Sequence, residues 1–252
     1  MRGFPRGKLV FTLAADRRGC VQESAGSLPF PVTMPKTDPN SAAADSEVHA
    51  PVTGNSTARK RPKPGERRIQ ILQTLATMLE QPGAERVTTA ALAAKLDVSE
   101  AALYRHFASK AQMFEGLIEF IEQSVFTLVN QIAERETNAH AQVQKVLTVL
   151  LQFGERNPGM TRVMVGDALV FEHDRLLVRM NQFFDRIESQ LRQSLRVAAE
   201  AAGSATPTVQ ANAQASVLTA FAVGRLQRYT RSGFKRSPTE VLDASLRMLV
   251  AL

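Results

Sequence analysis

Histidine, cysteine and converging carboxylates are the side chains through which a protein does covalent or metal chemistry, and this sequence supplies few of them. Its four histidines, His49, His106, His140 and His173, are scattered along the chain, and the single cysteine, Cys20, leaves nothing with which to form an internal disulfide or a multi-cysteine metal site. Glu172, His173 and Asp174 do bring three titratable groups together. On a helix, however, consecutive residues point about 100° apart, so these three do not converge. A phosphate loop, a zinc-binding pair and a nucleophile elbow are all missing from the sequence. The expectation is a protein that is not an enzyme, with no catalytic residues, no metal and no cofactor.

Residue types and spacing that do imply chemistry occur in TTAALAAKLDVSEAALYRHF, residues 88–107. Two short helices can cross at a sharp angle only where a small residue lies at their contact and apolar residues fill the corner. Ala93 supplies the first, and Leu92, Leu96, Val98 and Leu103 the second. Asp97 occupies the turn, where Gly is commoner; Asp tolerates the left-handed conformation better than most residues. Ser99 is placed to cap the second helix. In a DNA-binding helix-turn-helix that second helix enters the major groove. Excluding the core positions leaves Glu100, Ala102, Tyr104, Arg105 and His106, with Ala101 beside them and Ser99 at the start, as the face toward DNA. Thr88 and Thr89 open the first helix, where hydroxyls and free N–H groups suit phosphate, and Lys110 opens the next.

Just upstream lies RKRPKPGERR, residues 59–68. The whole chain carries 31 Lys and Arg against 24 Asp and Glu, a formal charge of +7. Within this tract Arg59, Lys60, Arg61, Lys63, Arg67 and Arg68 face only Glu66, so ten residues hold five of the seven excess charges. Such an arm can follow the phosphate backbone or enter the minor groove, with an affinity that falls steeply with salt. A solubilising tail has the same composition. Residues 69–111 balance four basic against four acidic residues, so the arm is expected to matter to affinity.

The elements that must position these residues follow from proline and hydrophobic period. Eight of the twelve prolines fall in residues 1–64, a Ser-, Thr-, Ala- and Gly-rich stretch with too little apolar surface to offset its chain entropy, and it reads as a disordered extension. Met34 opens MPKTDPNSAAADSEV, an ordinary bacterial start, and translation is expected to begin at or near it. No run approaches the roughly 18 apolar residues of a membrane span, and the beginning of the chain is a poor signal peptide. A reducing cytoplasm fits the cysteine count.

From residue 65 onward the pattern is all-α. Ile69, Leu72, Leu75, Ala76 and Leu79 recur at helical spacing up to Gln81-Pro82-Gly83. Two short helices are expected over 88–96 and 99–107. Ser109 and Gln112 form a capping box for a long helix over 110–136, striped by Phe114, Ile118, Ile121, Val125, Leu128 and Ile132. Further helices are expected over 139–153, 161–165, 168–201, 208–231 and 239–252. Sustained two-residue alternation is absent, so no sheet is expected. This divides the chain into the extension (1–64), a three-helix helix-turn-helix domain (65–111) and a larger helical dimerisation and partner-binding domain (112–252).

An N-terminal three-helix DNA-binding unit followed by a larger helical domain resembles the TetR family. SEAALYRHFASK, LIEFIE, FGERNPGMTR, MNQFFDRIESQLRQSLR and SGFKRSPTE are similar, in order and spacing, to stretches of its nucleoid occlusion branch, over residues 65–252. Asp97, and Ala108 where Pro is usual, depart from that pattern. The resemblance implies a homodimer, with higher-order assembly on DNA, that binds palindromic chromosomal double-stranded DNA and antagonises assembly of the division GTPase FtsZ, blocking division over the nucleoid. It places the protein in the cytoplasm on the nucleoid, not at a membrane. It also implies docking of the FtsZ C-terminal tail near the long helix, which carries five acids and one base over 112–136. Phe120, Arg156 and Asn157 are the partner candidates there. Phe126, almost opposite the apolar stripe, is either exposed or packed on a neighbouring helix.

A palindrome needs two recognition helices about 34 Å apart. ANAQASVLTAFAVGRLQRY and VLDASLRMLVAL could approach a symmetry mate through Leu218, Phe221, Leu226, Leu242, Leu246 and Leu249, or the same residues could be internal core. A ligand-responsive repressor of the same fold is the alternative function. Its pocket would lie among Met164, Phe171, Met180, Phe183 and Phe184, a set equally compatible with plain core.

Overall fold

The computed structural model describes residues 65–81 and 86–250, and all of these residues are helical, turn or loop. Nine α-helices follow one another among them: α1 (Glu66–Leu79), α2 (Thr89–Lys95), α3 (Glu100–Tyr104), α4 (Lys110–Arg135), α5 (Ala139–Arg156), α6 (Pro158–Met164), α7 (Asp174–Ala201), α8 (Pro207–Arg231) and α9 (Leu242–Val250). The extension, with Met34 and with Arg59, Lys60, Arg61 and Lys63 of the basic tract, lies outside the described residues, as do Pro82 and Gly83. Glu66, Arg67 and Arg68, the end of that tract, are not arm at all: they form the first turn of α1.

Side-chain caps fix the helix starts as the sequence suggests. Ser109 accepts from the Gln112 N–H at 3.2 Å, and the Gln112 side chain reaches back to the Ala108 N–H at 2.9 Å, one residue earlier than in a standard capping box. Asn138 caps α5 through the Ala141 N–H at 2.9 Å. Several helix limits differ from the periodic reading: α3 ends at Tyr104 rather than 107, α6 begins at Pro158 rather than 161, and three other differences have visible causes. α5 continues past Gly154 to Arg156 because Gly154 is a contact glycine, not a stop: a Cβ there would lie 2.4 Å from a Leu226 methyl. The expected helix over 168–201 is broken. Gly166 takes a left-handed φ of 85°, a 3₁₀ turn spans Asp167–Leu169, and α7 restarts at Asp174 with His173 as its cap. α9 starts at Leu242 rather than 239, after Phe234 (φ 64°) and Val241 (φ 48°) have turned the chain.

One continuous core runs from Ile71 in α1 to Val250 in α9. α7 and α8, joined by a short turn, pack side by side, and α5 lies against both and against α4. α6 ties α1 to this body. A Cβ on Gly159 would sit 2.0 Å from the Ala76 carbonyl oxygen, so only glycine lets the two helices meet. Ion pairs reinforce the junction along α4: Lys110 with Glu172, Arg175 with Glu115 at 2.8 Å, and Arg179 with Glu122 through two hydrogen bonds of 3.1 and 2.6 Å. The Glu122 carboxylate holds the Arg179 guanidinium above its ordinary pKa.

Candidate nucleic-acid interface

The helix-turn-helix is assembled from its turn outward. Thr88 caps α2 by accepting from the Ala91 N–H at 3.1 Å, and Ala93 and Leu92 are buried beneath it. α2 ends where Asp97 takes φ 54°, and the Val98 N–H closes back on the Ala93 carbonyl at 3.0 Å. A left-handed residue enclosed by a six-residue closure is the usual helix stop, normally made by Gly. Asp97 makes it here. Ser99 then accepts from the Ala102 N–H at 3.3 Å to start α3.

α3 is five residues long, and only Leu103 among them is buried. Glu100, Ala101, Tyr104, Arg105 and His106 are exposed, Tyr104 at 45%, which is high for an aromatic ring, and Ala102 is half-buried. Phe107, 1% exposed, anchors the chain directly after the helix. The candidate base-reading residues are therefore left free of the core, around a single buried leucine.

Several sequence-nominated residues have tasks that periodicity does not reveal. The Thr89 hydroxyl donates to the Glu100 carboxylate at 2.6 Å, joining the first residues of α2 and α3. The Arg68 guanidinium lies 4.0 Å from the centre of the Phe107 ring and donates to the His106 carbonyl at 2.8 Å. Arg67 donates to Gln70 at 2.8 Å on its own helix. The Lys110 ammonium, nominated for phosphate, pairs with Glu172. Spacing rules see contacts three or four residues apart, such as Arg67 with Gln70; the other contacts span 11 to 62 residues, and no local pattern encodes them.

The partner candidates separate. Arg156 is exposed at the end of α5, whereas Asn157 is 6% exposed and its side-chain amide donates to the Phe153 carbonyl at 2.8 Å, closing the turn into α6. Phe120 is half-buried against the core. Phe126 packs on α7: its ring lies edge-on to Phe183 with centroids 5.4 Å apart, and Arg186 stacks over it at 3.9 Å. Glu172, His173 and Asp174 are a pair to Lys110, a helix cap and a first-turn acid. Phe171 is 64% exposed, while Met164, Met180 and Phe183 are packed core and Phe184 meets the Phe183 ring edge-on. Leu218, Leu226, Leu242 and Leu246 are buried within the chain, with Phe221 and Leu249 packed against them. Val170 and Phe171, expected in a helix, are exposed in the turn before α7, and Leu177 and Val178 are exposed on α7 itself.

This arrangement, a short tri-helical reading head on a larger helical body, is that of a TetR-type bacterial regulator. Residues 71–117 match the model described as "Bacterial regulatory proteins, tetR family", and residues 137–251 match the SlmA-like "Tetracyclin repressor-like, C-terminal domain". The chain is 52% identical over 190 residues to the nucleoid occlusion factor SlmA of Photobacterium profundum, covering 75% of this chain and 96% of the relative. It is 50% identical over 195 residues to that of Salmonella dublin, covering 77% and 98%. The chain therefore belongs to the SlmA nucleoid occlusion factors of the TetR family. Among solved structures, the Thermus thermophilus TetR-family regulator PfmR superimposes with a TM-score of 0.60 at 19% identity, covering 72% of this chain and 97% of that one. The Bacillus subtilis regulator FadR, solved with stearoyl-CoA, gives 0.58 at 12% identity, covering 73% and 97%. At that identity the likeness is one of fold.

Proposed function

We propose that the protein binds palindromic chromosomal DNA as a homodimer through α3 and, in that state, antagonises FtsZ assembly so that division is blocked over the nucleoid. The observation that carries this reading is the surface of α3. Its side chains other than Leu103 are not consumed by the core, they stand on a capped helix, and a basic tract precedes the domain in the sequence. In the same proposal residues 65–111 form the DNA-binding domain and 112–252 the dimerisation and partner-binding domain, with the protein in the cytoplasm on the nucleoid. Among the described residues no helix is long and apolar enough to cross a membrane. The protein acts as a regulator and not as an enzyme.

For contact with DNA, Thr88, Ser99 and Lys110 serve from the frame and Tyr104, Arg105 and His106 from the reading surface, with Glu100 and Ala102 beside them. Dimerisation falls to the exposed apolar positions of α7 and α8, Val197, Val209 and Val217, because the leucines of α8 and α9 are already occupied. Arg156, exposed at the end of α5, and the half-buried Phe120 are the groups best placed to meet an FtsZ tail; buried Asn157 contributes by shaping the turn.

Sedimentation of FtsZ polymers tests the coupled function. Polymer should be lost when the protein and a specific palindromic duplex are both present and retained with a scrambled duplex. Retention in every lane would refute the FtsZ arm of the proposal.

A further inference from the structure

The DNA reading proposed above makes α3 the specificity element, yet α3 has almost nothing to hold it in place. A helix of five residues has no stability of its own in water. Its apolar anchorage is Leu103 within it and Phe107 just beyond its end, both on its C-terminal side. Two polar contacts, one at each end, add to this in setting its orientation. At the N-terminal end the Thr89 hydroxyl holds the Glu100 carboxylate at 2.6 Å. At the C-terminal end the Arg68 guanidinium holds the His106 carbonyl at 2.8 Å while lying 4.0 Å from the centre of the Phe107 ring.

We propose that Arg68 is a positioning residue that sets the orientation of α3, and so determines which DNA sequence is preferred, rather than a phosphate-binding member of the basic tract. Three features of its chemistry suit that task. Its planar guanidinium can lie flat on an aromatic ring and donate in its own plane at once, which a lysine ammonium cannot do. Its carbonyl partner belongs to the turn closing α3, where helix carbonyls lack intrahelical donors. It stands on α1, whose buried face (Ile71, Leu72, Leu75, Ala76 and Leu79) is fixed in the core, so the tie runs from a rigid element to a weakly held one. Glu100, held by Thr89, likewise orients the start of α3.

Positioning and phosphate binding leave different signatures. A lost phosphate contact weakens all duplexes alike and reduces the salt slope of binding by about 0.9 per contact. A lost positioning contact lowers affinity for the preferred sequence alone. The test uses full-length protein, a palindromic duplex enriched by the wild-type protein from a random-sequence pool, and a scrambled duplex of equal length. Arg68→Gln is expected to weaken the enriched duplex on the order of tenfold, the scale of one charge-assisted hydrogen bond. The scrambled duplex should change less than about twofold and the salt slope should stay constant. Arg68→Lys keeps the charge and should recover only part of the lost discrimination. Equal weakening of both duplexes with a shallower slope, fully restored by Lys, would overturn the proposal in favour of phosphate contact; unchanged discrimination in both variants would overturn it as well. Helical circular dichroism on heating checks that each variant is folded, and if Arg68→Gln is not, Arg68→Lys carries the comparison. Failure of the wild-type protein to enrich any duplex would instead defeat the DNA reading itself.

Discussion

Asp97 carries the helix-turn-helix on a conformation that most side chains avoid, and its φ of 54° makes a direct claim about substitution. Asp97→Val should destabilise the domain by about 1–2 kcal/mol, the cost of forcing a non-glycine, β-branched residue into the left-handed region, whereas Asp97→Gly should remain within about 0.5 kcal/mol. Urea denaturation of the two variants checks this, and equal stability of Val and Gly would contradict it. The turn was legible in the sequence because it follows from residue type alone: Asp, bracketed by the buried Leu96 and half-buried Val98, with Ser99 next. The task of Arg68 was not. Its charge placed it with the arm, and the two groups that claim it, the His106 carbonyl and the Phe107 ring, lie 38 and 39 positions away.

Among the elements, the starts with a capping serine were the legible ones. Ser99 and Ser109 announce α3 and α4 through their side chains, and each accepts the backbone hydrogen bond expected of it. The ends of α5 and the break before α7 depend on what Gly154 and Gly166 meet in space, which hydrophobic period does not record. The junction between α4 and α5 carries a pH dependence. The Glu136 carboxylate receives Lys145 at 2.5 Å and the Asn138 N–H at 2.9 Å, and the Lys145 bond first, then the Asn138 bond, hold its pKa below the ordinary value. A depressed carboxylate adds stability above its unfolded pKa and loses it as pH falls through the folded value. The melting-temperature difference between wild type and Glu136→Gln should therefore be largest near about pH 6–7 and fade toward about pH 3. A constant difference across that range would show that the charge is not involved. At the α1–α6 contact, Gly159→Ala should cost about 1–3 kcal/mol or more by overpacking, since its methyl would meet a backbone carbonyl that cannot move aside. A wild-type melting temperature for that variant would rule out the close approach.

For the whole molecule, net charge and mass of core were easy to read and their arrangement was harder. The sequence placed five of seven excess charges in residues 59–68. The structure divides that tract, because Glu66, Arg67 and Arg68 belong to α1 and both arginines have partners, Arg67 on α1 itself and Arg68 just beyond α3. The charges available as an arm are thus Arg59, Lys60, Arg61 and Lys63. Deleting residues 1–64 should weaken DNA binding and lower the salt slope by at most about 0.9 for each of those four per protomer, without altering base preference. Titrations at several salt concentrations test this, and an unchanged slope would remove the arm from the DNA.

The seat of Gly159 against Ala76 and the pairing of Lys110 with Glu172 tie the reading head to the larger body at two separate points. In a dimer the larger body therefore sets how far apart two such heads stand, as a caliper's beam sets its jaws. Adding one base pair between half-sites moves the second by about 3.4 Å and turns it by about 35° around the duplex. Tolerance for spacer length thereby comes to depend on residues far from any nucleotide, and changes at α6 should alter which palindromes are accepted without touching a base.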